Sequence, residues 1–313
     1  MARIKEKKIP YSIDKGLRRY LKAYRREMDL PILYSDLLRY SEGVTLYDKY
    51  GNDTLYQQED LNHINAALKK IYAILRANGD MSVMQHLYVD RIDLCLYGNS
   101  NPFRVRIVNK INDNFDYFYI KNADASRIYG LELEHLLSPN RISYVVDRDT
   151  LIEEHIAGIP GEEFMQNYLN HGKVENEIRL AKEFVKFNER CFIRLLGDMH
   201  SSNYVVEIMP DFEDVHYRIR AIDFDQQCYE PRKSIYMPQY FKENMPIIDI
   251  GLKHMTPTTV RQYQKEERAM IASRIRYSSR QVSDLMKFMV SSELSKEGYI
   301  SQLREELGEH YED

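Results

Sequence analysis

The chain of 313 residues has no tryptophan and only three cysteines, Cys95, Cys191 and Cys228, which lie far apart. The cysteine count is odd and no C-x-x-C pair occurs, so neither a disulfide framework nor a cysteine-based metal site is expected, and reduced thiols of a cytoplasmic protein are. None of the nine histidines stands in an H-E-x-x-H spacing, which removes the common helical zinc site. No run approaches the roughly 18 apolar residues that a membrane span needs. The opening residues MARIKEKKIPYS are basic but lack an apolar core, so no secretory signal is expected there and no membrane partner. Internal repeats and low-complexity segments are also missing.

What is present suits a soluble globular protein. Hydrophobic residues make up 43% and charged residues 29%, enough to bury a substantial core, and the length allows two domains or one two-lobed unit. The net charge of −4 argues against the whole molecule as a polyanion binder, so nucleic acid is not the expected partner. Basic residues nevertheless gather early: Arg3, Lys5, Lys7, Lys8, Lys15, Arg18, Arg19, Lys22, Arg25 and Arg26. Leu17, Tyr20, Leu21 and Tyr24 have helical spacing, which leaves Arg18, Arg19, Lys22, Arg25 and Arg26 on the other face as a solvated surface or an anion-facing one.

A second helix is expected over Asp60 to Asn78, where Leu61, Ile64, Leu68, Ile71 and Leu75 form one stripe and Gly79 follows as a stop. Residues 1–80 therefore read as an N-terminal helical extension, with docking or dimerisation as its natural roles. From Met84 the texture turns to short alternating β segments, VDRIDLCLYG, FRVRIVNKI and DYFYIKNAD, split by turns at GNSNP and NDN. A helix over ASRIYGLELEHLLSP, a strand pair over NRISYVVDRDTLIEEH and a turn at Gly158, Pro160 and Gly161 follow. Residues 174–194 then place Ile178, Ala181, Phe184, Val185 and Phe192 at helical intervals, YVVEIM and YRIRAI form a hairpin across PDFED, and helices are expected at 247–252, 259–287 and 296–309.

The chemistry-bearing segments are RLLGDMHSSNYVV, residues 194–206, and IRAIDFD, residues 219–225. Asp198 and Asn203 are separated by four residues in a polar loop, and Asp223 follows the hairpin. Phosphoryl transfer from a nucleotide needs this set: a carboxylate to take the attacking hydroxyl's proton, and oxygen ligands to hold magnesium on the phosphates. An Asp and an Asn so spaced, then Asp-Phe-X, is the protein-kinase pattern.

GDMHSSN resembles the GDLHxxN catalytic loop of the aminoglycoside phosphotransferase, choline kinase and fructosamine kinase branch of the protein-kinase-like superfamily, and IDFD resembles its metal loop. The resemblance implies an α+β, two-lobed protein-kinase-like fold: a small β-rich lobe with hinge over 81–158, and a large helical lobe over 159–313 carrying both loops. It implies ATP and Mg²⁺ as cofactors, Asp198 as the catalytic carboxylate, and Asn203 and Asp223 as metal ligands. Lys121, ending YFYIK, corresponds to the strand lysine that pairs with the α- and β-phosphates and with a helix glutamate. Of the two candidates, Glu132 lies in the apolar stripe of Ile128, Leu136 and their neighbours, where an unpaired carboxylate is costly, so it is taken as the partner and Glu134 as an exposed charge. Glu154 to Gly158 (EHIAG) resembles the hinge, so Glu154 and Ile156 would bind adenine through backbone groups.

The departures are instructive. Leu196 stands where the family often has His, His200 matches the loop's own His as a structural residue, and Asp225 stands where protein kinases have Gly. The acidic residue at 225 favours the small-molecule branch. Gly98–Pro102 could cover phosphates with its backbone, though one glycine makes it equally an ordinary hairpin turn. The expected function is an ATP-dependent phosphotransferase acting on a hydroxyl of a small molecule. The alternatives are a non-catalytic nucleotide-binding scaffold and, less supported, a kinase guided to a macromolecule by its basic N-terminus.

Overall fold

A computed structural model describes residues 8–40, 45–48, 51–54, 58–96, 100–212 and 214–312. The loop Gly98–Pro102 falls partly outside these residues, and Arg3, Lys5 and Lys7 fall outside them entirely. The chain divides into two compact units, one of residues 12–124 and 142–155, the other of 1–11, 125–141 and 156–313.

The first unit is built on the alternating segments. Its helices are α1 (Lys15–Ala23), α2 (Tyr34–Tyr40) and α3 (Gln58–Ala77), and its strands are β1 (Thr45–Asp48), β2 (Gly51–Thr54), β3 (Leu87–Leu94), β4 (Phe103–Asn109), β5 (Phe115–Asn122), β6 (Tyr144–Asp147) and β7 (Thr150–Glu154). The seven strands run antiparallel in the order β1-β2-β3-β4-β5-β7-β6. Phe103, Val105 and Ile107 of β4 point inward and meet Ile64, Leu68, Ile71 and Leu75 of α3 in one core with Phe118, Ile120 and Ile152. The period-2 face of a strand and the 3.6-period stripe of a helix thus cover each other.

This core corrects the boundary drawn at residue 80. The stripe of α3 is too apolar to stand in water and is spent against the sheet of its own unit. Residues 26–34 are stitched to β6 and β7 as well: Met28 N–H donates to Val146 O (3.0 Å), Val146 N–H to Arg26 O (2.8 Å), Leu30 N–H to Asp147 Oδ2 (2.9 Å) and Tyr34 N–H to Thr150 Oγ1 (3.0 Å). Part of the basic face of α1 is internally paired too, with Arg18 bonded to Glu27 at 3.2 Å.

The second unit holds α4 (Ala125–Leu137), α5 (Gly161–Phe164), α6 (Glu177–Arg194), α7 (Met245–His254), α8 (Pro257–Tyr277), α9 (Ser279–Met289) and α10 (Tyr299–Glu312). A small antiparallel sheet of β8 (Ile159–Pro160), β9 (Tyr204–Pro210) and β10 (Val215–Ala221) has the order β10-β9-β8. The helix α4, expected in the β-rich lobe, belongs to this helical unit. The buried stripe of α6 is Leu180, Ala181, Phe184, Phe187, Cys191 and Phe192, while Ile178, expected inside, is 51% exposed. The continuous helix expected over 259–287 is two helices broken at Ser278. Among the described residues no helix is long and apolar enough to cross a membrane.

Candidate functional site

The site of the helical unit is assembled by the end of α6 and the hairpin β9–β10. Leu195 ends α6 in a left-handed conformation (φ +54°) and turns the chain out of the helix. The following residues then run beside the 226–228 segment: Leu196 bridges Gln227 in antiparallel fashion, Cys228 N–H donates to Leu195 O (2.9 Å) and Gly197 N–H to Gln226 O (3.3 Å). At the hairpin, the register that pairs Tyr204 with Ala221 continues one step, with Ile222 N–H donating to Asn203 O at 3.0 Å. Asn203 and Asp223 therefore flank the same end of one two-stranded ribbon, although nineteen residues separate them in sequence.

Asp198 sits in this turn with φ +63°, a conformation that Asp tolerates better than most residues. Its own N–H donates to Ile235 O at 3.1 Å. Asn203 Nδ2 donates to Asp198 O (2.9 Å) and, longer, to Asp198 Oδ2 (3.4 Å). That bond fixes the amide and leaves Oδ1 as the atom Asn203 can offer a cation. Burial pushes the Asp198 carboxyl up, and the charges of Asp223, Glu230, Glu243 and Asp225 push it further, to about 7. His200 is held below its ordinary value by burial, and its ring takes Ser202 N–H at 3.3 Å and lies 3.2 Å from Asn203 Nδ2. Those bonds suit the structural role expected of it.

Arg127, in the first turn of α4, carries no role in the sequence reading, yet it organises the 222–225 loop. Its Nη1 lies 2.8 Å from both Asp223 Oδ1 and Asp225 Oδ1, its Nη2 donates to Ile222 O at 3.4 Å, and it is 4% exposed. Asp225 N–H donates to Asp223 Oδ1 at 3.1 Å, closing the turn on itself. Gly130, one helical turn on, lets α4 approach this closely, because a Cβ there would meet Phe224 Cβ at 3.0 Å.

The oxygen chemistry of Asn203 and Asp223 fits magnesium, a hard ion that takes one or two protein oxygens and keeps waters and phosphates for the rest. Among the described residues no group of three or more His, Cys, Asp or Glu is arranged to hold a metal ion, so the remaining ligands would come from the nucleotide and from water.

The residues expected on the nucleotide side are spread over both units. In the sheet unit, Lys121 on β5 pairs with Glu153 on β7, Nζ to Oε2 2.9 Å, with Tyr119 beneath it at 5.7 Å. The register sets Tyr119 opposite Glu153 and Lys121 opposite Leu151, which makes Lys121 and Glu153 diagonal neighbours on one face. Glu153 was not anticipated. Glu154 accepts Ser143 N–H on Oε1 (2.8 Å) and Arg76 Nη1 on Oε2 (2.7 Å), and the Glu154 and His155 amides donate to Ser143 O and Tyr117 O. Ile156, buried, begins the long last segment of the helical unit. Glu132, fully buried in α4, accepts from Gln281 Nε2 of α9 at 2.8 Å. Glu134, expected to be exposed, is 1% exposed and paired with Arg194 of α6. Only His135 along α4 is not buried, so the helix has no solvent face to give it.

No family model and no curated protein matches the chain. Among solved structures it is similar to the autoinhibited serine kinase domain of the giant muscle protein titin, at 11% identity over 63% of this chain and 80% of that one, with a TM-score of 0.30. It is also similar to residues 1–466 of Rad53 in complex with AMP-PNP, at 12% identity over 62% of this chain and 61% of that one, with a TM-score of 0.27. Likenesses this low add nothing to the geometry above, and the functional reading rests on the residues themselves.

Proposed function

We propose that the chain is an ATP-dependent phosphotransferase of two-lobed, protein-kinase-like build that phosphorylates a hydroxyl of a small molecule. The observation that carries this reading is the constellation Asp198–Asn203–Asp223, with Asn203 bonded to Asp198 and facing the start of the metal loop across the hairpin end. Asp198 takes the acceptor's proton as the hydroxyl oxygen bonds to the γ-phosphorus and the bond to the bridging oxygen breaks, releasing ADP. A carboxyl held near 7 is poised between accepting and releasing a proton at neutral pH. Magnesium held by Asn203 Oδ1 and Asp223 would neutralise charge on the phosphates. Lys121, held by Glu153, is assigned to the α- and β-phosphates, and the backbone around Glu154 and Ile156 to adenine. Since the Glu154 and His155 amides already have acceptors, the adenine contacts fall to carbonyl oxygens and to the Ile156 amide.

Incubation with γ-labelled ATP, Mg²⁺ and pools of small hydroxyl compounds tests the reading. Label should pass to an acceptor in wild type and fall at least a hundredfold in Asp198→Asn. Unchanged transfer by that variant contradicts it. One observation favours a second reading, a nucleotide-binding scaffold without catalysis: Arg127 engages both carboxylates of the metal loop. That reading predicts nucleotide binding with no labelled product from any pool.

A further inference from the structure

Arg127 is chemically out of place unless the carboxylates are its purpose. A cation in the first turn of a helix faces the positive end of the helix dipole, and a buried guanidinium without acceptors is costly. A guanidinium also cannot shed its charge in a protein. Here one nitrogen, Nη1, stands 2.8 Å from Asp223 Oδ1 and 2.8 Å from Asp225 Oδ1. Two carboxylates drawn to one point would otherwise repel.

On the reading of the site as a magnesium–nucleotide centre, we propose that Arg127 is a fixed cation of the 223–225 loop: it holds Asp225 in an ion pair and so limits the loop to a single divalent ion. The trio of Arg127, Asp223 and Asp225 carries one net negative charge. Together with the neutral oxygen of Asn203 and the phosphates, that is enough for one ion. Asp225 would be the natural ligand for a second; the guanidinium meets Oδ1 of both carboxylates, but Asp225 is the more enclosed of the two, its side chain 13% exposed against 34% for Asp223. Arg127 acts through Asp223 and Asp225, and is therefore a positioning residue.

Manganese tests this, because bound Mn²⁺ is counted directly by electron paramagnetic resonance. The full-length chain is titrated with Mn²⁺ at saturating non-hydrolysable ATP analogue. Wild type should bind one ion per chain. Arg127→Met should bind a second ion or bind the first at least tenfold more tightly, and Arg127→Lys, which keeps the charge, should return to one ion at near wild-type affinity. Asp225→Asn should still bind one ion, about tenfold more weakly because the loop loses one negative charge while Asp223 and Asn203 remain as ligands. That variant decides the matter even if Arg127→Met does not fold. Two ions in wild type, an unchanged Arg127→Met, or loss of Mn²⁺ in Asp225→Asn would each overturn the proposal while leaving the phosphotransferase reading intact. Wild type that binds no Mn²⁺ with nucleotide overturns both.

Discussion

Lys121 Nζ lies 2.9 Å from Glu153 Oε2 on the neighbouring strand, and both side chains are buried. A buried pair of this kind adds little net stability over an apolar one, but losing one partner is severe. Glu153→Gln should cost about 3 kcal/mol in urea unfolding. The double variant Lys121→Met with Glu153→Leu should lose less than the sum of the two single changes. Additive losses would mean that the two side chains are energetically independent.

Asp198 makes the opposite prediction. Its carboxyl titrates near 7 in the folded protein against an ordinary value of 3.8. Between these values the unfolded chain has released the proton and the folded chain keeps it. The Asp198 contribution to stability therefore falls as pH rises, by up to about 1.4 kcal/mol per pH unit, and levels off above pH 7. Asp198→Asn removes this cost. In EDTA the variant should melt higher than wild type, by a margin that grows from pH 4 to pH 7. A margin independent of pH would refute the account of Asp198's electrostatics.

Glu134 and Arg194 form a fully buried pair in the helical unit. Burial pushes the Glu134 carboxyl up, but Arg194 overrides it and holds the group below its ordinary 4.5. The stability this provides is present above the unfolded value and is lost as pH falls through the folded one. Glu134→Gln leaves the guanidinium without its charge partner and should cost about 3–5 kcal/mol at pH 7. The difference from wild type should shrink in acid. An equal loss at pH 7 and pH 3 would show that the cost comes from packing alone.

Much of this architecture was legible in the sequence because it rests on period and spacing. The α3 stripe, the alternating strands β3 to β5 and the hairpin β9–β10 are each stated by local pattern. So is the Asp198–Asn203 loop, whose residues are bonded within a single turn. What escaped depends on non-local packing. Arg127 in ASRIYG reads as an ordinary helix charge, and its role exists only because α4 approaches the 222–227 loop. Its place in a helix's first turn, where a cation is disfavoured, was the one available cue. Glu153 stands next to Glu154 in LIEEH and reads as one of two solvated charges at the end of a strand. Glu134 was misread because a helix buried on every side has no polar face to reveal the pattern. The break at Ser278 carries neither Gly nor Pro. The run from 26 to 34 has no periodicity at all, since it attaches through backbone bonds to β6 and side-chain acceptors on β6 and β7.

The central claim is a magnesium–nucleotide site that depends on Asp223. Thermal unfolding with and without Mg-ATP, in wild type and in Asp223→Asn, tests it most directly. At 100 times the Kd, ligand adds about 2.7 kcal/mol to wild type, a clear rise in Tm. The account predicts that rise in wild type and its loss in Asp223→Asn. No rise in wild type at millimolar Mg-ATP, or an equal rise in both proteins, would contradict it.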